Sequence, residues 1–200
     1  MLHHPPSWIR NDTQSSSYIR PFPLRIPTIL LPTILWETFR QYVAPVVNRF
    51  HFPSTKQTFM DTAMAPDLVD HGTKPLMFSI YYAAVASMTD DTSIQNMENA
   101  RSALLVHYQY ATQQALIKAD IFHTQSIRVL QAAVLLWTCM QNQDDSGSIC
   151  SMVSMLFRMA QTMGMHLDGG TMLDLTPVEV EVRRRVWGLV ADLLSRSAIV

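Results

Sequence analysis

The chain has 200 residues, 48% of them hydrophobic and only 16% charged, with a formal net charge of −1. That length carries one domain with a sizeable core, the apolar content excludes disorder throughout, and the neutral balance gives no ground for direct nucleic-acid binding. Ordinary soluble domains are about 25% charged, so the scarcity here predicts helices buried on more than one side. Cys139 and Cys150 are too few for a disulfide framework or a thiolate zinc site, and their apolar neighbours predict reduced, buried thiols. The N-terminus lacks the basic start and unbroken apolar run of a signal peptide, since Pro27 and Pro32 interrupt Ile26 to Leu35. No later run reaches the roughly 18 apolar residues of a membrane span, which predicts a soluble protein without a membrane partner.

Residues 1–33 carry six prolines and the run Ser15-Ser16-Ser17, and read as an irregular tail or linker in which only Ile29 to Leu31 has the means to dock. Leu35, Phe39, Val43, Val46 and Phe50 then show helical spacing, with a bend or break expected before Pro45. Pro53 is expected to close that helix, with a short one following from Thr55 to Ala65. Pro75 suits a first helical turn, and Leu76 to Met88 is apolar on nearly every side, the pattern of a central helix. Thr92 and Gln95 resemble a capping box before a helix with Ile94, Met97, Leu104, Tyr108, Ala111 and Ala115 on one stripe, ending near Asp120.

Ile127, Leu130, Val134 and Trp137 mark the next helix, with Ala133, Leu136 and Cys139 on the adjacent face. After a polar loop from Gln141 to Gly147, Ile149, Val153, Leu156, Ala160 and Met163 form another stripe, which Gly164 is placed to end in the left-handed conformation. Thr176-Pro177-Val178-Glu179 combines a capping threonine, a first-turn proline and a capping-box glutamate. Val182, Val186, Leu189 and Leu193 are the buried stripe of that last helix, while Trp187, Val190 and Leu194 turn toward a second side. Nothing alternates with the period of a strand, so the predicted fold class is all-α.

The chemistry-bearing residues form no catalytic or metal pattern. His3, His4, His51, His71, His107, His123 and His166 are scattered and none makes the HExxH spacing. Asp90-Asp91 and Asp144-Asp145 are adjacent carboxylates whose side chains diverge, as loop and helix-start residues do. There is no GxSxG elbow, phosphate loop or dinucleotide fingerprint, and Cys139 lies mid-helix beside Leu136 and Met140 as an inert thiol. In the basic run Arg183-Arg184-Arg185, Glu179 precedes Arg183 and Glu181 precedes Arg185 by four residues, the spacing of helix-surface ion pairs. The sequence therefore nominates no catalytic, cofactor-binding or metal residue, and the reading is of a non-enzyme.

Three segments carry a resemblance. Leu35-Trp36-Glu37 through Val43-Ala44-Pro45-Val46 to His51-Phe52-Pro53-Ser54 is similar to the opening helix and turn of the fungal-specific transcription factor domain. Ala160-Gln161-Thr162-Met163-Gly164-Met165-His166-Leu167-Asp168 resembles that family's A-x-x-L-G-L-H-R-D helix end, and Thr176-Pro177 through Glu181 to Arg183-Arg184-Arg185-Val186-Trp187 resembles its S-P-x-E-x-E-x-R-R-R-L-W-W start. The departures are Leu167 for the family's arginine, Gly188 for its second tryptophan, and Leu194 for an aspartate, with Asp192 close by.

The resemblance covers residues 35–200 and implies an all-helical regulatory domain at 34–200, a nuclear location, and zinc held in a separate six-cysteine DNA-binding module. It implies regulation of RNA polymerase II transcription through transcriptional machinery, co-regulator proteins or an effector, with no DNA contact by this segment and no cofactor of its own. Family domains continue for several helices more, so Val200 reads as an early stop, with the second side of the last helix left uncovered and prone to self-association. A free-standing helical interaction module and a non-functional gene fragment stand as alternatives.

Overall fold

The structure, a computed structural model, describes residues 30–47, 52–64, 69–88, 95–141, 147–167 and 175–197. Among these the regular structure is entirely helical, so the fold is all-α. The tail residues 1–29, the pairs Asp90-Asp91 and Asp144-Asp145, Thr92, and His3, His4 and His51 lie outside the described residues.

Helix α1 (Leu30–Thr38) runs through a π-helical stretch (Phe39–Val43) into α2 (Ala44–Val47). It starts inside the segment expected to be irregular. Pro32 falls in the first turn, where the missing N–H would have had no helical acceptor. The disruption expected before Pro45 is a widened turn rather than a break: the Ala44 N–H donates to the Phe39 carbonyl, five residues back. A proline removes one donor and crowds the carbonyl four residues earlier, and the wider turn absorbs both effects without ending the helix. Pro53 likewise opens α3 (Phe52–Met64) instead of closing the helix before it, for the same first-turn reason.

The centre is α4 (Thr73–Ser87), where every residue from Pro75 to Val85 is buried. Asp70 caps it, accepting from the Thr73 N–H at 2.6 Å and the Thr73 hydroxyl at 2.8 Å. At its other end Arg101 donates to the carbonyls of Val85 and Ala86. Helices α1, α5 and α6 all pack on α4, which is why its sequence needed no polar face. An aromatic line ties α1, α3, α4 and α5 together: Trp36 stacks on Phe59 at 4.7 Å, Phe59 meets Tyr81 edge-on at 6.3 Å, and Tyr81 meets Tyr108 at 5.4 Å.

Helix α5 (Gln95–Lys118) buries Tyr108, Ala111, Ala115 and Leu116. It ends as expected near Asp120, whose φ of 47° places it in the left-handed region, with the Ile121 N–H reaching back to the Leu116 carbonyl. Helix α6 (Ile127–Gln141) is buried continuously from Val129 to Leu136. Helix α7 (Gly147–Thr162) ends at Gly164, φ 69°, with the Met165 N–H on the Ala160 carbonyl and the Gly164 N–H on the Gln161 carbonyl. This is the Schellman arrangement the glycine predicted, and Met165 is buried beneath it.

The last helix, α8 (Pro177–Ser197), opens on the expected capping box: Glu179 accepts from the Thr176 N–H at 2.8 Å, and the Glu179 N–H donates to the Thr176 hydroxyl at 3.3 Å. Its second side is not left uncovered. Helices α6 and α7 both pack on α8, Val190 is fully buried, and Leu194 is half-buried against the core. Trp187 lies 5.0 Å from the Phe157 ring. The exposed apolar stripe is on α5 instead, at Val106, Tyr110 and Ile117.

Candidate functional site

The motif residues of α7 and α8 meet in one junction. The Arg183 guanidinium donates to the Met163 carbonyl at the end of α7, and the His166 ring lies 6.0 Å from Trp187. The expected Glu179–Arg183 pair is replaced by these two partners: Glu179 serves the capping box and Arg183 the neighbouring helix. Hydrogen bonds from Thr176, then the Arg183 charge, hold the Glu179 carboxyl below its usual range. The second expected pair forms, with Arg185 2.6 Å from Glu181 and Arg184 also 3.2 Å from it. Replacing Arg183 with alanine should cost about 1.5–3 kcal/mol, the range for a hydrogen bond to a charged group, while Arg184→Ala stays within about 0.5 kcal/mol. Urea melts of the two variants check this, and equal effects would show that Arg183 is only a surface charge.

The scattered candidates stay apart. His71, His123 and His166 are exposed, and His123 pairs with Asp120 at 2.9 Å. Burial lowers the pKa of His107 on α5. No three His, Cys, Asp or Glu side chains among the described residues are grouped to hold a metal ion. Both thiols are half-buried rather than buried as expected: Cys139 sits on α6 against the core, and Cys150 on α7 donates to the Ser197 carbonyl at 3.3 Å. Two cysteines on different helices do not fit a six-cysteine zinc cluster, and none is evident in this chain. Burial pushes the Cys139 thiol up to about 12. At pH 8 it should alkylate with iodoacetamide at least about 100-fold more slowly than a free thiol, because only the thiolate reacts. Mass spectrometry of timed digests reads the rate, and prompt labelling of Cys139 would contradict the burial.

Side chains from four helices line a cleft with the form of a binding site. A cavity of about 200 Å³ lies between Thr55 and Thr58 of α3, Leu76 of α4, Ile127, Arg128 and Gln131 of α6, and Val178, Glu179 and Val182 of α8. Across Thr58 and Arg128 a second hollow of about 310 Å³ is lined by Asp61, Thr62, Val69, Asp70 and Thr73. Arg128 donates to Thr73 Oγ1 at 3.0 Å and to Asp70 at 3.4 Å. Partial burial raises the pKa of Asp70, but hydrogen bonds from Thr73 and the Arg128 charge outweigh it, leaving the carboxyl below its usual range. Gln131 is 5% exposed, yet its side chain makes no hydrogen bond among the described residues. No fully enclosed side-chain nitrogen or oxygen there lacks a partner, so the Gln131 amide opens onto the cleft. The sequence gives this residue one signal, a glutamine inside the otherwise apolar run from Val129 to Leu136, and that signal alone does not mark a site.

Two of the three motifs that carried the resemblance thus meet in three dimensions, and residues 33–190 match the fungal specific transcription factor domain. The chain belongs to that family. It is 32% identical over 97% of its length to the aurofusarin cluster transcription factor aurR2 of Gibberella zeae, covering 30% of that protein. It is 31% identical over 82% of its length to the pyriculol/pyriculariol biosynthesis cluster transcription factor 1 of Pyricularia oryzae, covering 22%. A transcriptional regulatory protein of Schizosaccharomyces pombe is 28% identical over 93% of the chain, with 32% covered. The chain therefore spans less than a third of the length of these curated relatives. No solved structure matches it. A role in transcription regulation follows from the family, and the comparisons give transcription factors rather than enzymes. No described helix is long and apolar enough to cross a membrane.

Proposed function

We propose that this chain is the regulatory portion of a nuclear zinc-cluster-type factor that controls RNA polymerase II transcription by binding co-regulator proteins or an effector, without touching DNA itself. The family match over residues 33–190 carries this reading. The near-neutral charge supports the absence of DNA contact, since counterion release from phosphates needs a basic surface. Two relatives are named for biosynthetic gene clusters, which supports target genes of that kind. Tethering residues 1–200 to an unrelated DNA-binding module ahead of a reporter in a fungal host tests the reading. Output should rise or fall relative to the module alone, and unchanged output would reject it.

One observation favours self-association as a second reading. Val106, Tyr110 and Ile117 lie exposed on the outer face of α5, and with Gln113 they follow the three-and-four spacing of a coiled-coil seam without a charge. Light scattering across a concentration series should then show a dimer, and a monomer throughout would remove this reading.

A further inference from the structure

We propose that the cleft between α3, α4, α6 and α8 binds an uncharged small molecule with an apolar body and one hydroxyl, carbonyl or amide end, the polar end meeting Gln131. Three observations carry this. The Gln131 side chain is almost wholly buried, makes no hydrogen bond among the described residues, and presents both a donor and an acceptor to the cavity. An amide that opens onto the cleft without a side-chain partner is available to a ligand able both to donate and to accept. The walls beside it, Leu76, Ile127, Val178 and Val182, are apolar and suit a hydrocarbon or aromatic body. The charges of the lining decide the class: the cleft carries one carboxylate, Glu179, engaged in the capping box, and one guanidinium, Arg128, engaged with Thr73 and Asp70. An anionic ligand would be desolvated there beside a carboxylate and a cation already paired, which disfavours carboxylates and phosphates.

The cleft also has a position from which occupancy can be read elsewhere. It joins the first turn of α8, with its capping box, to α3, α4 and α6. A molecule seated there bridges the α8 start to the central helices. The proposal deepens the effector half of the functional reading and rests on it for its biological sense. Binding in solution tests the cleft by itself, so reporter output and ligand binding can fail separately.

Benzyl alcohol and benzoate share one apolar body and differ in charge, which makes them a matched pair of probes. In the 200-residue chain, benzyl alcohol should shift the Gln131 side-chain amide and the Val178 and Val182 methyl NMR signals saturably. Benzoate should bind about tenfold more weakly or worse, because its charge is desolvated in the cleft with the Arg128 guanidinium already engaged. Val182→Phe, which fills the cavity from its partly exposed rim, should weaken benzyl alcohol about tenfold, and Gln131→Leu should favour toluene over benzyl alcohol. If Gln131→Leu does not fold, Val182→Phe still separates the two outcomes. Absence of saturable shifts at these residues, benzoate binding as tightly as the alcohol, or unchanged affinity in Val182→Phe would each overturn the proposal.

Discussion

Replacing Trp36 with alanine should destabilise the domain by about 3–5 kcal/mol, the range for deleting a fully buried aromatic. Trp36 is 2% exposed and stacks on Phe59, so the deletion leaves a void between α1 and α3 as well as losing transfer free energy. Tyr108→Ala should cost a similar amount, because its ring closes the far end of the same aromatic line at Tyr81. Val106→Ala, two residues away on α5 but 55% exposed, should change stability by less than about 0.5 kcal/mol. For a domain of this size each kcal/mol moves the melting temperature by about 2–4 °C, so calorimetry separates the outcomes clearly. If Val106→Ala proved as damaging as Tyr108→Ala, α5 would be packed on both faces and its exposed stripe would be buried in an assembly.

Val190→Asp should abolish cooperative folding or cost more than about 4 kcal/mol, whereas Val178→Asp should be neutral or slightly stabilising. Val190 is 0% exposed, facing the side of α8 that the sequence pattern alone leaves uncovered, so a carboxylate there is desolvated with no partner. Val178 is 48% exposed in the first turn of the same helix, where the N-terminal dipole favours a negative charge by about 0.3–1 kcal/mol. Circular dichroism during thermal melts measures both. A folded Val190→Asp protein of near-normal stability would show that this side of α8 faces solvent after all.

The sequence by itself determined the fold class and much of the punctuation. Gly164 and the Thr176–Glu179 box each set a helix end through local backbone chemistry, which needs no knowledge of distant residues. The unbroken apolar character of α4 gave its central place, since a helix without a polar face must be covered on all sides. The three motifs gave the family for a related reason: they are short segments whose residues are contiguous. Prolines were harder, because Pro32 and Pro53 read equally as breakers or as first-turn residues, and only the direction in which the chain continues distinguishes the two.

Tertiary structure alone decided the rest. Arg183 had an acceptor four residues back in sequence, yet it reaches the Met163 carbonyl because α7 ends beside α8, a proximity no spacing rule encodes. Apolar stripes on two sides of a helix announce two contacts without saying which is made within the chain, so the uncovered face was assigned to α8 and lies on α5. The cleft gathers Thr55, Leu76, Gln131 and Val182 from four helices separated by long stretches of sequence, and none of these residues has a chemical signature alone. Its content comes from burial and pairing. Gln131 matters because it is enclosed, lacks a hydrogen-bond partner among the described residues and opens to a cavity, and each of those properties belongs to the packed structure.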